Sequence, residues 1–167
     1  MELYLMRHGI AEDGLAAQSD SLRKLTKEGR EKVAAVVGAA RRGGMGPTLI
    51  LSSPYLRAMQ TARLAAERLG YTGEIVKSDA LVPHSCPEDV WRELRVHGGE
   101  GSILVSSHEP LLGNTVGYLL NSPSLAVEVR KASIICIELP RMSGQPQGIL
   151  QWMITPKLCL EENLTNA

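Results

Sequence analysis

The sequence predicts an α/β layered fold built on a largely parallel sheet, and three observations carry that expectation. Short apolar runs alternate with stretches of helical periodicity. The runs break into polar loops at their C-terminal ends, and the last part of the chain holds two β segments with only a loop between them. The first run, Leu3 to Met6, is wholly apolar and breaks at Arg7-His8-Gly9, the pattern of a strand buried on both faces. Thr26 then caps a helix to about Arg42, with Val33, Val36, Val37 and Ala40 at helical spacing and Gly43-Gly44 ending it. Pro47 to Leu51 is a second strand, closing at Ser52-Ser53-Pro54. Ser53 as N-cap, Pro54 at the first helical position and Gly70 past the end delimit a second helix with Ala58, Ala62, Ala65 and Leu69 on one stripe. Glu74 to Lys77 is a weak strand. After a loop at Val82 to Pro87, a helix runs through Val90, Trp91 and Leu94 toward Gly98-Gly99. Ser102 to Ser106 is a buried strand that breaks at Ser107-His108-Glu109-Pro110, and a helix follows from Pro110 to about Leu120. Ala132 to Leu139 and Ile149 to Ile154 close the sheet as an antiparallel pair.

The chain has 167 residues, which a single domain spanning 1–167 accommodates with a self-sufficient core. Hydrophobic residues make up 44% and charged ones 22%, a balance that excludes a disordered chain. Eighteen Lys plus Arg against eighteen Asp plus Glu give zero net charge, so bulk attraction to nucleic acid or to an anionic membrane surface is not expected. Twelve of the basic residues are Arg and only six are Lys. The Arg fork matches phosphate and carboxylate oxygens, which keeps open a specific oxyanion site within a neutral protein. No apolar run approaches the ~18 residues of a membrane helix, and Met1 to Arg7 lacks the pattern of a signal peptide. Cys86, Cys136 and Cys159, odd in number and without a CxxC pair, read as reduced thiols of a cytoplasmic protein, each expected in buried packing.

Three polar clusters fall at strand ends or at the starts of the following helices: Arg7-His8-Gly9, Ser53 to Arg57, and Ser107 to Pro110. The carboxyl ends of parallel strands form the usual ligand crevice of an open α/β sheet, so the clusters can converge there. Two Arg, two His and helix N-terminal amides would then surround one anion. Arg57 in a first helical turn opposes the helix dipole and so asks for such a reason, unlike Arg63 and Arg68 further along. No GxSxG elbow, Walker loop, HExxH or Cys-based phosphatase loop is present, and His84 with Cys86 is too little for a metal site, so no metal or cofactor is expected. A neutral imidazole can attack phosphorus if its other nitrogen is held by an acceptor, and His8 is the candidate.

Leu5-Met6-Arg7-His8-Gly9 resembles the RHG signature of the histidine phosphatase superfamily, which also contains the phosphoglycerate mutases. The stretches Ser19 to Thr26, Leu51 to Ala58 and Val105 to His108 are similar in order and spacing to its small SixA-type branch, the phosphohistidine phosphatases. The similarity runs through Gln151-Trp152. It implies a three-layer, phosphoglycerate mutase-like fold. It also implies that His8 becomes phosphorylated while Arg7, Arg57 and His108 bind the phosphoryl oxygens, consistent with a reaction that rests on positioning and fixed positive charge.

A leaving-group acid is harder to place. Glu88 and Asp89 are the candidates, though the first turn of a helix favours negative charge without any catalytic reason; Glu12 and Glu109 are further neighbours. Arg23 reads equally as a substrate contact or as half of a structural ion pair, and His97 as a helix end. A phosphohistidine substrate relaxes the need for an acid, because its P–N bond breaks readily once the imidazole is protonated. The expected activity is protein phosphohistidine dephosphorylation by a cytoplasmic monomer, with a His-containing phosphotransfer domain as the expected phosphoprotein partner. Phosphatases of small phosphomonoesters, a non-catalytic phosphate-binding module and a mutase are the alternatives.

Overall fold

The computed structural model describes residues 1–14 and 19–160. Its elements are β1 (Glu2–Arg7), α1 (Lys27–Arg42), β2 (Leu49–Ser52), α2 (Leu56–Leu69), β3 (Ile75–Lys77), α3 (Pro87–Val96), β4 (Ser102–Ser107), α4 (Leu111–Leu119), β5 (Ile134–Glu138), β6 (Ile149–Ile154) and α5 (Pro156–Leu160), with 3₁₀ turns at Asp20–Leu22 and Asp79–Leu81. The six strands form one sheet in the order β3-β2-β4-β1-β5-β6. The first four are parallel, and β5 and β6 add an antiparallel edge.

Strand alternation divides the core into two halves. On β1, Leu3 and Leu5 face α3 and α4, packing with Leu51, Val90, Leu94, Val105 and Leu112. Tyr4 and Met6 face the opposite side, where Val33, Val37, Ala62, Ala65 and Cys159 cover them from α1, α2 and α5. Apolar side chains are therefore needed at every position from Leu3 to Met6, which is why the run shows no polar alternation. The result is a three-layer α/β domain.

Local signals set most element ends. The Thr26 hydroxyl accepts from Gly29 N at 2.9 Å and caps α1, and Gly70, in the left-handed region at φ 71°, ends α2. The start of α2 differs from the expectation. The helix opens at Leu56 with Tyr55 as N-cap and no side-chain cap bond. Ser53 lies two residues before that N-cap, and its hydroxyl is held by His108 instead. Cys136 and Cys159 are buried as expected, whereas Cys86 is exposed: it is the N-cap of α3, where its thiol donates to Asp89 Oδ2 at 3.1 Å. No described helix is long and apolar enough to cross a membrane.

Register aligns the crevice. Arg7 pairs with Ser107 and Ser52 with Ser106, so β2, β4 and β1 are adjacent and end at one level. The loop after β1 then lies directly on the first turn of α1. A Cβ at Gly9 would come within 2.9 Å of Gly29 O and Val33 Cγ2, and one at Gly29 would strike the Ile10 backbone. Both glycines permit that close approach.

Candidate active site

His8 follows the last residue of β1 and is 7% exposed. Its backbone is fixed by two bonds, His8 N to Ser107 O at 3.0 Å and Gly9 N to Thr61 Oγ1 at 3.1 Å. Nδ1 lies 2.7 Å from Gly9 O, so it must be the protonated nitrogen. Nε2 accepts from Arg57 Nε at 3.2 Å, which requires a lone pair there. The two contacts select the same tautomer. Burial, reinforced by Arg57, Arg7 and Lys131, brings the imidazole pKa down to about 3 despite the opposing Gly9 bond. His8 therefore presents a neutral Nε2 lone pair at neutral pH.

Arg57, 5% exposed in the first turn of α2, has its fork held from outside the helix. Nη1 donates to Asp20 O at 2.7 Å and Nη2 to Asp20 Oδ2 at 2.9 Å. Arg23 Nη1 reaches the other oxygen, Asp20 Oδ1, at 3.0 Å, while its Nε donates to Glu12 O at 2.7 Å. Hydrogen bonding from Arg23, and then from Arg57, holds the Asp20 carboxyl below its ordinary range. Arg23 thus serves an ion pair that orients Arg57. Arg7 reaches across to Val129 O through Nη1 at 2.8 Å, and its buried Nε has no partner among the described residues.

His108, just past β4, is 1% exposed and faces His8 with ring centroids 5.0 Å apart. Its Nε2 lies 2.8 Å from Ser53 Oγ, and its buried Nδ1 has no partner among the described residues. Burial, followed by the neighbouring His8 and Arg57, lowers its pKa to about 2. Tyr55 packs edge-on against this ring at 5.1 Å and lies under Arg57 at 5.0 Å. Buried polar atoms in a folded protein are nearly always paired. The orphaned Arg7 Nε beside the Arg57 guanidinium marks the place of an anionic ligand, and His108 Nδ1 can donate to it in the tautomer whose Nε2 accepts from the Ser53 hydroxyl.

The four residues Arg7, His8, Arg57 and His108 are thus brought to one crevice. Ser53 and Tyr55, members of the second polar cluster, join them as contacts of His108, and Asp20 joins as a support of Arg57 that the sequence did not single out; a carboxylate in a short polar turn carries no local signal of its distant partner. Glu88 and Asp89 are elsewhere engaged. Asp89 takes Arg92 Nη1 at 2.7 Å and the Cys86 thiol, and neither carboxylate bonds to the His8 cluster among the described residues. Glu12 pairs with Lys24 at 3.5 Å. Glu109 is pushed above the ordinary carboxyl range by burial, against the opposing Gly113 N–H, which it accepts at 3.0 Å, and Arg7. The described residues hold no group of three or more His, Cys, Asp or Glu side chains suited to a metal ion.

The sequence and the fold have known counterparts. The chain is 34% identical to an uncharacterized protein of Picosynechococcus sp. over 96% of its own length and 99% of that protein. It is 29% identical to the phosphohistidine phosphatase SixA of Escherichia coli over 93% of this chain and 94% of the other. A solved structure of the protein histidine phosphatase SixA complexed with tungstate superposes with a TM-score of 0.83 at 27% identity, covering 95% of this chain and 99% of that one. Residues 3–82, which carry Arg7, His8 and Arg57, match the family model of the histidine phosphatase superfamily (branch 1), and with these relatives spanning nearly the whole chain, the protein belongs to that superfamily.

Proposed function

We propose that this phosphatase removes the phosphoryl group from phosphohistidine in a protein, by way of a phosphorylated His8. The observation that carries the proposal is the fixed tautomer of His8, with Nδ1–H on Gly9 O and the Nε2 lone pair facing Arg57. An incoming phosphoryl oxygen takes over the Arg57 Nε–H and frees Nε2. Nε2 then forms a bond to phosphorus as the substrate P–N bond breaks, and the electron pair leaves with the substrate imidazole. That ring, protonated on its other nitrogen, departs neutral. Water attacks the phosphorus of phospho-His8 next, His8 leaves with its Nδ1–H still on Gly9 O, and orthophosphate is released. Arg7, Arg57 and His108 stabilise the charge spread over the equatorial oxygens in both steps.

The first step exchanges one P–N bond for another, so it needs no strong leaving-group acid. The absence of Glu88 and Asp89 from the described contacts of the His8 cluster supports that substrate class. The raised pKa of Glu109 favours a second reading, a small-phosphomonoester phosphatase in which this carboxyl protonates an alkoxide. Turnover of a phosphohistidine protein is measured beside that of sugar phosphates, in the wild type and in Glu109→Gln, Glu88→Gln and Asp89→Asn. The proposal expects the phosphohistidine protein to be preferred and all three variants to stay within about threefold on it. His8→Ala is expected to lose both turnover and acid-labile phosphate trapped on the enzyme. An active His8→Ala, or sugar phosphate preferred and dependent on a carboxylate, overturns the reading.

A further inference from the structure

A groove of about 630 Å³ has Arg7, the neighbour of His8 in the chain, in its lining. Five of its eight lining residues are cations, Arg7, Lys32, Arg130, Lys131 and Lys157, and none is acidic. They come from four parts of the fold: the end of β1, α1, the turn before β5, and α5. In a chain of zero net charge this is a local concentration of positive charge, not a share of a general excess. Neighbouring carboxylates neutralise part of it. Lys32 pairs with Glu28 at 2.6 Å and Arg130 with Glu128 at 3.3 Å. Lys131 and Lys157 are exposed and have no carboxylate partner among the described residues. The groove is also coupled to the reacting centre, because Arg7 lines it and Lys131 is near enough to bear on the protonation of His8.

We propose that this groove docks a carboxylate-bearing segment of the phosphoprotein substrate, next to the phosphohistidine held in the His8 crevice. The proposal rests on the phosphohistidine-protein reading above. The chemistry of the cations chooses the ligand. A second phosphate would call for convergent Arg forks. Here Arg7 already spends one nitrogen on Val129 O, and the unpaired charges are separate Lys ammonium groups, which suit several carboxylates spaced along a flexible chain. Zero net charge argues against a nucleic acid, whose binding draws on a broad positive field. Exposed charges of this kind act on encounter rate and orientation, and salt screens them.

The test uses two peptides with the same central phosphohistidine, one flanked by Glu and one by Gln, and phosphoramidate as a small substrate. Lys157→Glu and Arg130→Glu are made singly and together; both side chains are exposed and lie outside the His8 cluster. Wild type is expected to favour the acidic peptide by roughly tenfold in kcat/KM at low salt and to lose the preference at high salt. The double variant is expected to lose the preference at low salt as well, with phosphoramidate turnover unchanged, which also reports a folded enzyme. A wild type that turns over both peptides equally, or a double variant that keeps the preference, overturns the docking proposal and leaves the phosphohistidine reading intact. Competition by a short oligonucleotide or a sugar bisphosphate that exceeds the acidic peptide and is lost in the double variant overturns it in favour of phosphate. Failure on every phosphohistidine substrate beside good turnover of phosphomonoesters overturns both readings.

Discussion

Acid should unfold this protein through its two active-site imidazoles. His8 and His108 fall from an ordinary 6.5 to about 3 and about 2 on folding, both chiefly through burial. A base whose pKa falls on folding binds fewer protons in the native chain than in the unfolded one. Stability is therefore fully present above the unfolded pKa of 6.5 and is lost as pH drops through the window from there toward the native values. Between about pH 7.5 and about pH 5.5 one such group removes about 1.4 kcal/mol, and the pair removes about 2.7 kcal/mol. Urea unfolding followed by circular dichroism at several pH values in that window measures the slope. His8→Asn keeps a donor for Gly9 O and His108→Gln keeps a polar atom for Ser53, so each should remove about half of the wild-type slope. Saturating inorganic phosphate places an anion beside both rings, raises their native pKa values and should flatten the slope. Wild type and both variants sharing one slope would refute the assignment of buried neutral imidazoles.

Three further outcomes follow from the site's supports. Arg57→Lys replaces a fork that meets three acceptors with a single point charge, so kcat should fall roughly a hundred- to a thousandfold in steady-state assays with phosphoramidate. Asp20→Ala leaves the backbone tether of Arg57 but removes its carboxylate; because that carboxylate is 56% exposed, urea unfolding should show a loss of about 1 kcal/mol or less, while kcat falls roughly tenfold. Asp20→Asn, which keeps an acceptor for Nη2, should recover most of that activity. Gly29→Ala pushes the Ile10 backbone away from α1 and should cost about 1–3 kcal/mol, read as a Tm lowered by about 2–4 °C per kcal/mol. Gly46→Ala, with open space at the same position of its Cβ, should be neutral by the same scan.

Much of the architecture was legible because its signals are local. Two-sided burial wrote an unbroken apolar run at Leu3 to Met6, Thr26 announced the start of α1, and Gly70 announced the end of α2. The antiparallel closing pair was visible in its two β segments. The short α5 was not, since five residues beginning at Pro156 give too little periodicity to register. The start of α2 was misplaced because Ser53 has the chemistry of an N-cap but is drawn to His108. Cys86 was misplaced for a related reason: a thiol at a helix start can bond to an exposed carboxylate of its own first turn and remain at the surface.

The sequence by itself determined the layered α/β fold, the ends of β1, β2 and β4 as the place of the crevice, and the residue types that gather there. Those follow from periodicity, caps and breaks that act within a few residues. The tertiary structure alone decided which nitrogen of His8 is free, that both imidazoles are neutral, that Asp20 holds Arg57, and that the unpaired lysines line one groove beside Arg7. Each of these depends on contacts between residues far apart in the chain, such as His8 with Arg57 across 49 positions and His108 with Ser53 across 55. Desolvation and hydrogen-bond geometry arise only when the strands come into register, and no local pattern encodes them.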